Sequence, residues 1–311
     1  MKPVAPVAAI DIGTNSTRLL VMRPDDAGGF VVLDERLVIT RLGQGVDATR
    51  SLHPDAIERT SSALREFKSV MESFEVERFR MTATSAARDA TNCDDFFAAA
   101  HAATGQIPEI LTGELEGQLS FAGATTGLDA SAGPFLVIDI GGGSTEFAWG
   151  QAGQCDGSES LDIGAVRVTE RYLLSDPPTP VELSGAVTVV NLFLDDLDRD
   201  YPAWRGATTL VGVAGTITTV AAVEIGLPSY DREALHHYRL THAAAEDVFR
   251  TLATESLADR RHNPGLDPQR ADVIVGGCVI LCAVMRRLKA LECVVSQTDL
   301  LHALAATLCD G

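Results

Sequence analysis

The sequence predicts an α/β protein made of two related domains, and three observations lead there. Short apolar runs of strand length alternate with longer stretches whose apolar residues recur at helical spacing. A ten-residue stretch occurs twice: Asp11-Ile-Gly-Thr-Asn-Ser-Thr-Arg-Leu-Leu20 aligns with Asp139-Ile-Gly-Gly-Gly-Ser-Thr-Glu-Phe-Ala148, with five of ten positions identical. Each copy follows one apolar run and leads into another, so the repeat is one of structure and not only of letters. A break of small residues and proline at 130–134 follows the first set of elements, after which the pattern restarts. The boundary is therefore expected near 125–134, giving domains 1–128 and 129–311.

The elements follow in order. Residues 7–10, 17–22 and 30–33 read as three strands of a meander, with Asp26-Ala-Gly-Gly29 as turn chemistry. Ile57, Leu64, Phe67, Met71 and Phe74 lie at helical spacing behind His53-Pro54-Asp55, a reasonable helix start. A strand at 79–84 precedes an alanine-rich helix at 90–104 that Asn92 could cap. A short strand at 107–111 leads through Gly113 into a helix at 114–122. In the second half, strands are expected at 135–140, 144–149, 210–213 and 294–295. Helices are expected at 179–197, 216–225, 272–287 and 300–308.

The bulk properties bound the function. A chain of 311 residues with 46% hydrophobic and 22% charged residues is globular and long enough for two domains. The formal charge of -18 repels nucleic acid and anionic membrane, so an anionic substrate must be met by a local cluster of donors. The six cysteines form no C-x-x-C pair and no zinc spacing, which fits reduced thiols used as small hydrophobes. Lys2 is a lone positive charge before an apolar stretch that Pro6 and Asp11 interrupt, unlike a signal peptide. The apolar run 273–285 is shorter than the ~20 residues of a bilayer span and reads as a buried helix. A cytoplasmic location is expected.

The repeated loops carry the chemistry. Glycines and hydroxyl residues after a strand-end Asp build a tight turn whose amides can face an anion. The carboxylates of Asp11, Asp139 and Glu146 suit a hard cation instead. A Gly-rich hairpin with a capping Asp would explain one such loop; two related loops favour phosphate and metal. A third loop, Val211-Gly-Val-Ala-Gly-Thr-Ile-Thr218, places Gly215 and Thr216 at a helix start. No Lys follows it, so it is not a Walker motif, and a strand follows Gly141-Gly-Gly143, so that is no dinucleotide fingerprint. His236, His237 and His242 are expected as exposed loop histidines.

These residues resemble the actin/Hsp70/sugar-kinase superfamily of duplicated ribonuclease-H-like domains, with a cleft between the two. Within it the chain is similar to the exopolyphosphatase/guanosine pentaphosphate phosphatase (Ppx/GppA) family. The motifs are 11–18, Ala83-Thr-Ser-Ala-Ala-Arg-Asp-Ala-Thr-Asn92, Thr112-Gly-Glu-Leu-Glu-Gly-Gln118, 139–146, 161–170, 213–218 and Arg270-Ala-Asp272. The resemblance implies phosphoanhydride hydrolysis with Glu116 as general base and Arg88 and Arg270 as catalytic donors. It implies that phosphates are held by Thr14, Asn15, Ser16 and Arg18, by Gly142, Gly143, Ser144 and Thr145, and by Gly215 and Thr216. It implies Mg²⁺ or Mn²⁺ on Asp139, Glu146 and Asp11, and a homodimer. Arg167 lies in a motif without a role. On a helix Glu114 and Glu116 stand ~200° apart, so only one of them is expected to face the site.

Leu115, Gly117 and Gln118 stand where the family usually has Glu, Ala and Arg, which removes a charge pair beside Glu116. The C-terminal helical domain of longer relatives is not expected here. The resemblance implies an exopolyphosphatase acting on inorganic polyphosphate, or else a 5′-phosphohydrolase of guanosine pentaphosphate (pppGpp). A sugar or acetate kinase of the same superfold and a non-hydrolysing polyphosphate or alarmone sensor are the other classes.

Overall fold

A computed structural model of the chain describes residues 5–25 and 29–309. It divides into two compact units, Met1–Leu119 with Leu300–Gly311 and Ser120–Asp299. The chain passes from the first unit to the second inside the helix Gly113–Ala124. The last helix, Leu300–Ala306, joins the first unit because Leu301, Leu304 and Ala305 bury against Val7, Ala9, Leu20 and Met22.

The first unit is built on five strands: β1 (Val7–Ile12), β2 (Thr17–Pro24), β3 (Phe30–Val38), β4 (Arg78–Ala83) and β5 (Glu109–Ile110), in the order β3-β2-β1-β4-β5. The first three form an antiparallel meander, and β1, β4 and β5 run parallel. Every residue of β1 is buried, because the sheet is covered on both faces. Ala8, Ile10 and Ile12 face Leu64, Phe67, Met71 and Phe96 of the helices Pro54–Ser73 and Cys93–Thr104, while Val7 and Ala9 face the C-terminal helix. This strict period of two puts Asp11 on the same face as Val7 and Ala9.

The second unit has six strands: β6 (Phe135–Ile140), β7 (Thr145–Gln151), β8 (Gln154–Leu161), β9 (Thr209–Val213), β10 (Arg239–Thr241) and β11 (Glu292–Val295). Their order is β10-β11-β9-β6-β7-β8. Stripped of β10, this is the first unit again: β8, β7, β6, β9 and β11 take the places of β3, β2, β1, β4 and β5, with the same directions. The sequence repeat is therefore a repeat of the α/β sheet that carries it. Leu136, Ile138 and Ile140 face the larger core, with the wholly buried stretch Ile274–Met285 of the helix Ile274–Leu288; Phe135 and Val137 face Phe121 and Ala124.

Most expected elements appear within a few residues. Asn92 does not cap its helix: its side-chain amide accepts from Leu52 N at 2.7 Å and donates to Leu52 O at 3.1 Å, tying down a distant loop. The strand β8 escaped notice because it is a half-buried outer strand of polar residues with no apolar run. The helices Ala165–Tyr172 and His242–Thr254 were also unforeseen. The expected turn at 26–29 lies outside the described residues except for Gly29, as does Lys2.

Candidate active site

The two repeated turns are closed in the same way. Gly13 N donates to Ser16 O at 2.9 Å, and Gly141 N donates to Ser144 O at 3.1 Å. In each turn the carbonyls are then consumed by a second segment. In the first unit Gly43 N donates to Thr14 O at 2.8 Å and Arg41 N to Asn15 O at 2.9 Å. Thr14 Oγ1 also bonds Ser85 Oγ at 2.8 Å. In the second unit Ala165, Val166 and Arg167 donate their amides to the carbonyls of Gly141 and Gly142, and Arg167 Nε donates to Gly143 O at 2.8 Å. A trans peptide holds its N–H opposite its C=O. Pinning these oxygens therefore aims the N–H groups of Asn15 and Ser16, and of Gly142, Gly143 and Ser144, the other way, as an anion cradle needs.

This explains a motif whose parts had no role. Gly164 must be glycine, since a Cβ there would stand 2.4 Å from Gly142 O. Thr145 Oγ1 donates to Ile163 O at 2.5 Å. Arg167, buried at 8% exposure, is a strut of the turn. No sequence signal short of this geometry gave it that task.

At equivalent places behind the turns the two units diverge. Asp11 pairs across the strands with Arg18, and Arg18 Nη2 donates to Asp11 Oδ2 at 3.1 Å. The resemblance gave Arg18 to phosphate and Asp11 to a cation; here the two neutralise one another. The corresponding pair in the second unit is Asp139 opposite Glu146, two carboxylates that are 9% and 1% exposed. Ser120 Oγ donates to Asp139 Oδ2 at 2.6 Å and Ser160 Oγ donates to Glu146 Oε1 at 2.7 Å. Ser120 lies in a motif-bearing helix but outside the motif, and Ser160 immediately precedes one; sequence reasoning missed both. Among the described residues no group of three or more His, Cys, Asp or Glu is arranged to hold a metal ion. Two adjacent buried carboxylates still fit Mg²⁺, which keeps waters and takes substrate oxygens.

Glu116 is placed by its helix. Thr112 accepts from Leu115 N through its hydroxyl and from Glu116 N through its carbonyl, which starts the helix Gly113–Ala124. Glu116 is 8% exposed, whereas Glu114 is exposed and accepts from Gln118 Nε2 at 3.2 Å. One of the two acids is therefore buried and the other turned to solvent. Arg88, near the end of the helix Ser85–Asp89 that follows β4, divides its Nη1 between Leu111 O at 2.7 Å and Glu116 Oε2 at 3.1 Å. The departures at 115, 117 and 118 leave this pair intact.

The third loop follows β9. Ala214 takes a positive φ of 68°, a strained state for a residue with a Cβ. Gly215 comes next, and a Cβ on it would meet Arg270 Nη1 at 1.4 Å, so the guanidinium lies directly against the glycine. Thr216 packs on Gly277 of the helix Ile274–Leu288. Thus Gly215, Thr216 and Arg270 form one group. Of the histidines, His236 Nδ1 accepts from Gln297 N, and His242 opens a helix and pairs with Glu246 at 3.1 Å, so it is not a loop residue.

Residues 20–304 match the Ppx/GppA phosphatase family. The chain belongs to that family. It is 41% identical to Exopolyphosphatase 2 of Mycobacterium tuberculosis, over 97% of this chain and 98% of that one. It is 29% identical to a guanosine-5′-triphosphate,3′-diphosphate pyrophosphatase of Aeromonas hydrophila, over 90% of this chain and 55% of that longer protein. Among solved structures, a Ppx/GppA family member of Aquifex aeolicus superposes with a TM-score of 0.82 at 32% identity, covering 99% of each chain. As a Ppx/GppA phosphatase, the chain carries its family motifs on the turns and struts just described.

Proposed function

We propose that this chain is an exopolyphosphatase, hydrolysing the terminal phosphoanhydride bond of inorganic polyphosphate and releasing orthophosphate. The observation that carries the reading is the duplicated turn whose carbonyls accept from neighbouring segments, which supports both turns as phosphate cradles. The full-length relationship to Exopolyphosphatase 2 supports polyphosphate as the substrate.

In this mechanism Glu116, fixed by Arg88, orients the attacking water and takes its proton. The water oxygen bonds to the terminal phosphorus, the bridging P–O bond breaks, and the shortened chain leaves with the bond's electron pair. Arg270 and the turn amides offset the charge on the phosphoryl oxygens. Asp139 and Glu146 would hold Mg²⁺ or Mn²⁺, which when bound offsets further phosphoryl charge. Asp11 belongs to the proposed ligand set only if its pairing with Arg18 gives way.

Hydrolysis of pppGpp at the 5′ end is the second reading, favoured by the relationship to the Aeromonas enzyme. Phosphate release from short polyphosphate and from pppGpp, each with and without Mg²⁺, separates the two. Faster release from polyphosphate that requires Mg²⁺ is expected. Binding of both without release would point instead to a sensor. A cytoplasmic homodimer completes the proposal. No helix of the described residues is long and apolar enough to cross a membrane, and sedimentation and cell fractionation test the rest.

A further inference from the structure

A buried arginine outside every motif used so far holds the segment that carries Arg270. Arg260 ends the short helix Leu257–Arg260 and is 3% exposed. Its guanidinium donates to three main-chain carbonyls: Nε to Leu252 O at 2.8 Å, Nη2 to Glu255 O at 2.9 Å, and Nη1 to Ala271 O at 2.8 Å. The carboxylate of Asp176 stands 3.7 Å away, beyond hydrogen-bond range, and accepts from Leu257 N instead. Burial lowers the pKa of this guanidinium, but an arginine stays charged. Burying a cation without a bonded carboxylate is costly. Here the compensation comes from the nearby Asp176 carboxylate and from the C-terminal end of the helix His242–Thr254, where the last carbonyls and the helix dipole are both negative. A hydrophobe would fill the space without that cost. What it could not do is tie that helix end to the Ala271 carbonyl, 11 residues beyond Arg260.

The segment so tied has no helix or strand between residues 261 and 273. Within it Arg270 N donates to Asp267 O at 2.8 Å, and Arg270 O accepts from Val273 and Ile274. Ala271 is the next residue, and the Arg270 guanidinium lies against Gly215. Moving the Ala271 carbonyl would therefore shift the backbone that carries Arg270. We propose that Arg260 is the positioning residue for Arg270: its fork fixes Ala271 and so holds the Arg270 guanidinium on the Gly215–Thr216 loop. The proposal rests on the reading of Arg270 as a phosphate-contacting donor.

A double-mutant cycle tests it, using Arg260→Lys, Arg270→Ala and the double variant in the full chain, with kcat and KM measured on polyphosphate of defined length. Lysine keeps the charge and loses the fork. Arg260→Lys is expected to lower kcat/KM about tenfold in the wild-type background, since small misplacements of a catalytic donor are amplified in rate. In the Arg270→Ala background it should change kcat/KM less than about twofold, because the two act as one unit. Equal losses in both backgrounds would mean a structural role only and overturn the positioning role while leaving Arg270 in place. A wild-type rate for Arg260→Lys would overturn it too. A wild-type rate for Arg270→Ala would instead remove the reading of Arg270, and this proposal with it. Should Arg260→Lys fail to fold, Arg260→Gln, which keeps a two-donor amide, takes its place in the same cycle.

Discussion

Replacing Glu146 by Gln should make the cation-free protein more stable while removing its activity. Asp139 and Glu146 stand directly opposite one another on antiparallel strands, where Cβ atoms are ~5 Å apart. Their carboxylates can stand about 5–8 Å apart, where two like charges repel by about 2–3 kcal/mol at an effective dielectric constant of ~20. The substituted amide keeps the shape of the carboxylate and an acceptor for Ser160, and deletes only the charge. Allowing for solvent and for the hydroxyls already bonded to the pair, a stabilisation of about 1–3 kcal/mol is expected without divalent cation. For a unit of this size that is a rise in Tm of about 3–8 °C. Mg²⁺ should raise the Tm of the parent chain and leave that of the variant unchanged. Thermal unfolding in EDTA and in Mg²⁺, run beside phosphate release, measures both effects. A variant that unfolds in EDTA at or below the parent temperature would refute the argument, since the charge on Glu146 would then not be a net cost to the folded chain.

Other outcomes follow from the same geometry. Gly215→Ala should displace the Arg270 guanidinium, the movable partner in a 1.4 Å overlap, lowering kcat about tenfold or more with Tm almost unchanged. Glu116→Gln should abolish phosphate release yet leave polyphosphate binding, measured by equilibrium binding, close to the parent value. Burial pushes the thiols of Cys282 and Cys293 up to about 12, and that of Cys278 well above its ordinary value. Iodoacetamide at pH 8 should therefore modify these three only after denaturation, as peptide mass mapping would show. The bond from Arg286 holds the Glu246 carboxyl below its ordinary pKa. Its stabilising contribution is then present above the unfolded-state value and fades as pH falls through the folded one. Glu246→Gln should lower stability by about 0.5–1 kcal/mol at pH 7 and by progressively less as the pH falls through the folded-state value, as urea unfolding across an acid series would record.

Local pattern made much of this legible. The alternation of Val7, Ala9 and Asp11 against Ala8, Ile10 and Ile12 follows from the pleat of a strand, so β1 and its twin β6 could be read directly. The opposed directions of Glu114 and Glu116 follow from helical pitch and needed no neighbours. Asn92 shows where such reading stops: the residue type suits a cap, but a closer demand from the Leu52 backbone took its side chain. Arg167 and Arg260 show the same limit from the other side. Each is an arginine that donates to carbonyl oxygens, and backbone acceptors leave no trace in residue identity.

By itself the sequence determined that the chain is a duplicated α/β protein, that each copy ends a buried strand in a glycine turn, and which acids and arginines stand at those turns. These are consequences of short-range order, since strand period, helical pitch and turn chemistry act over a few residues. Only the tertiary structure decided the use of each charge. Asp11 meets Arg18 while its twin Asp139 meets Glu146, Arg270 comes to rest on Gly215, and the last helix packs with the first unit. Those outcomes depend on which groups a folded chain buries together from distant positions. The free energy of a charge is set by that company and not by its place in the sequence.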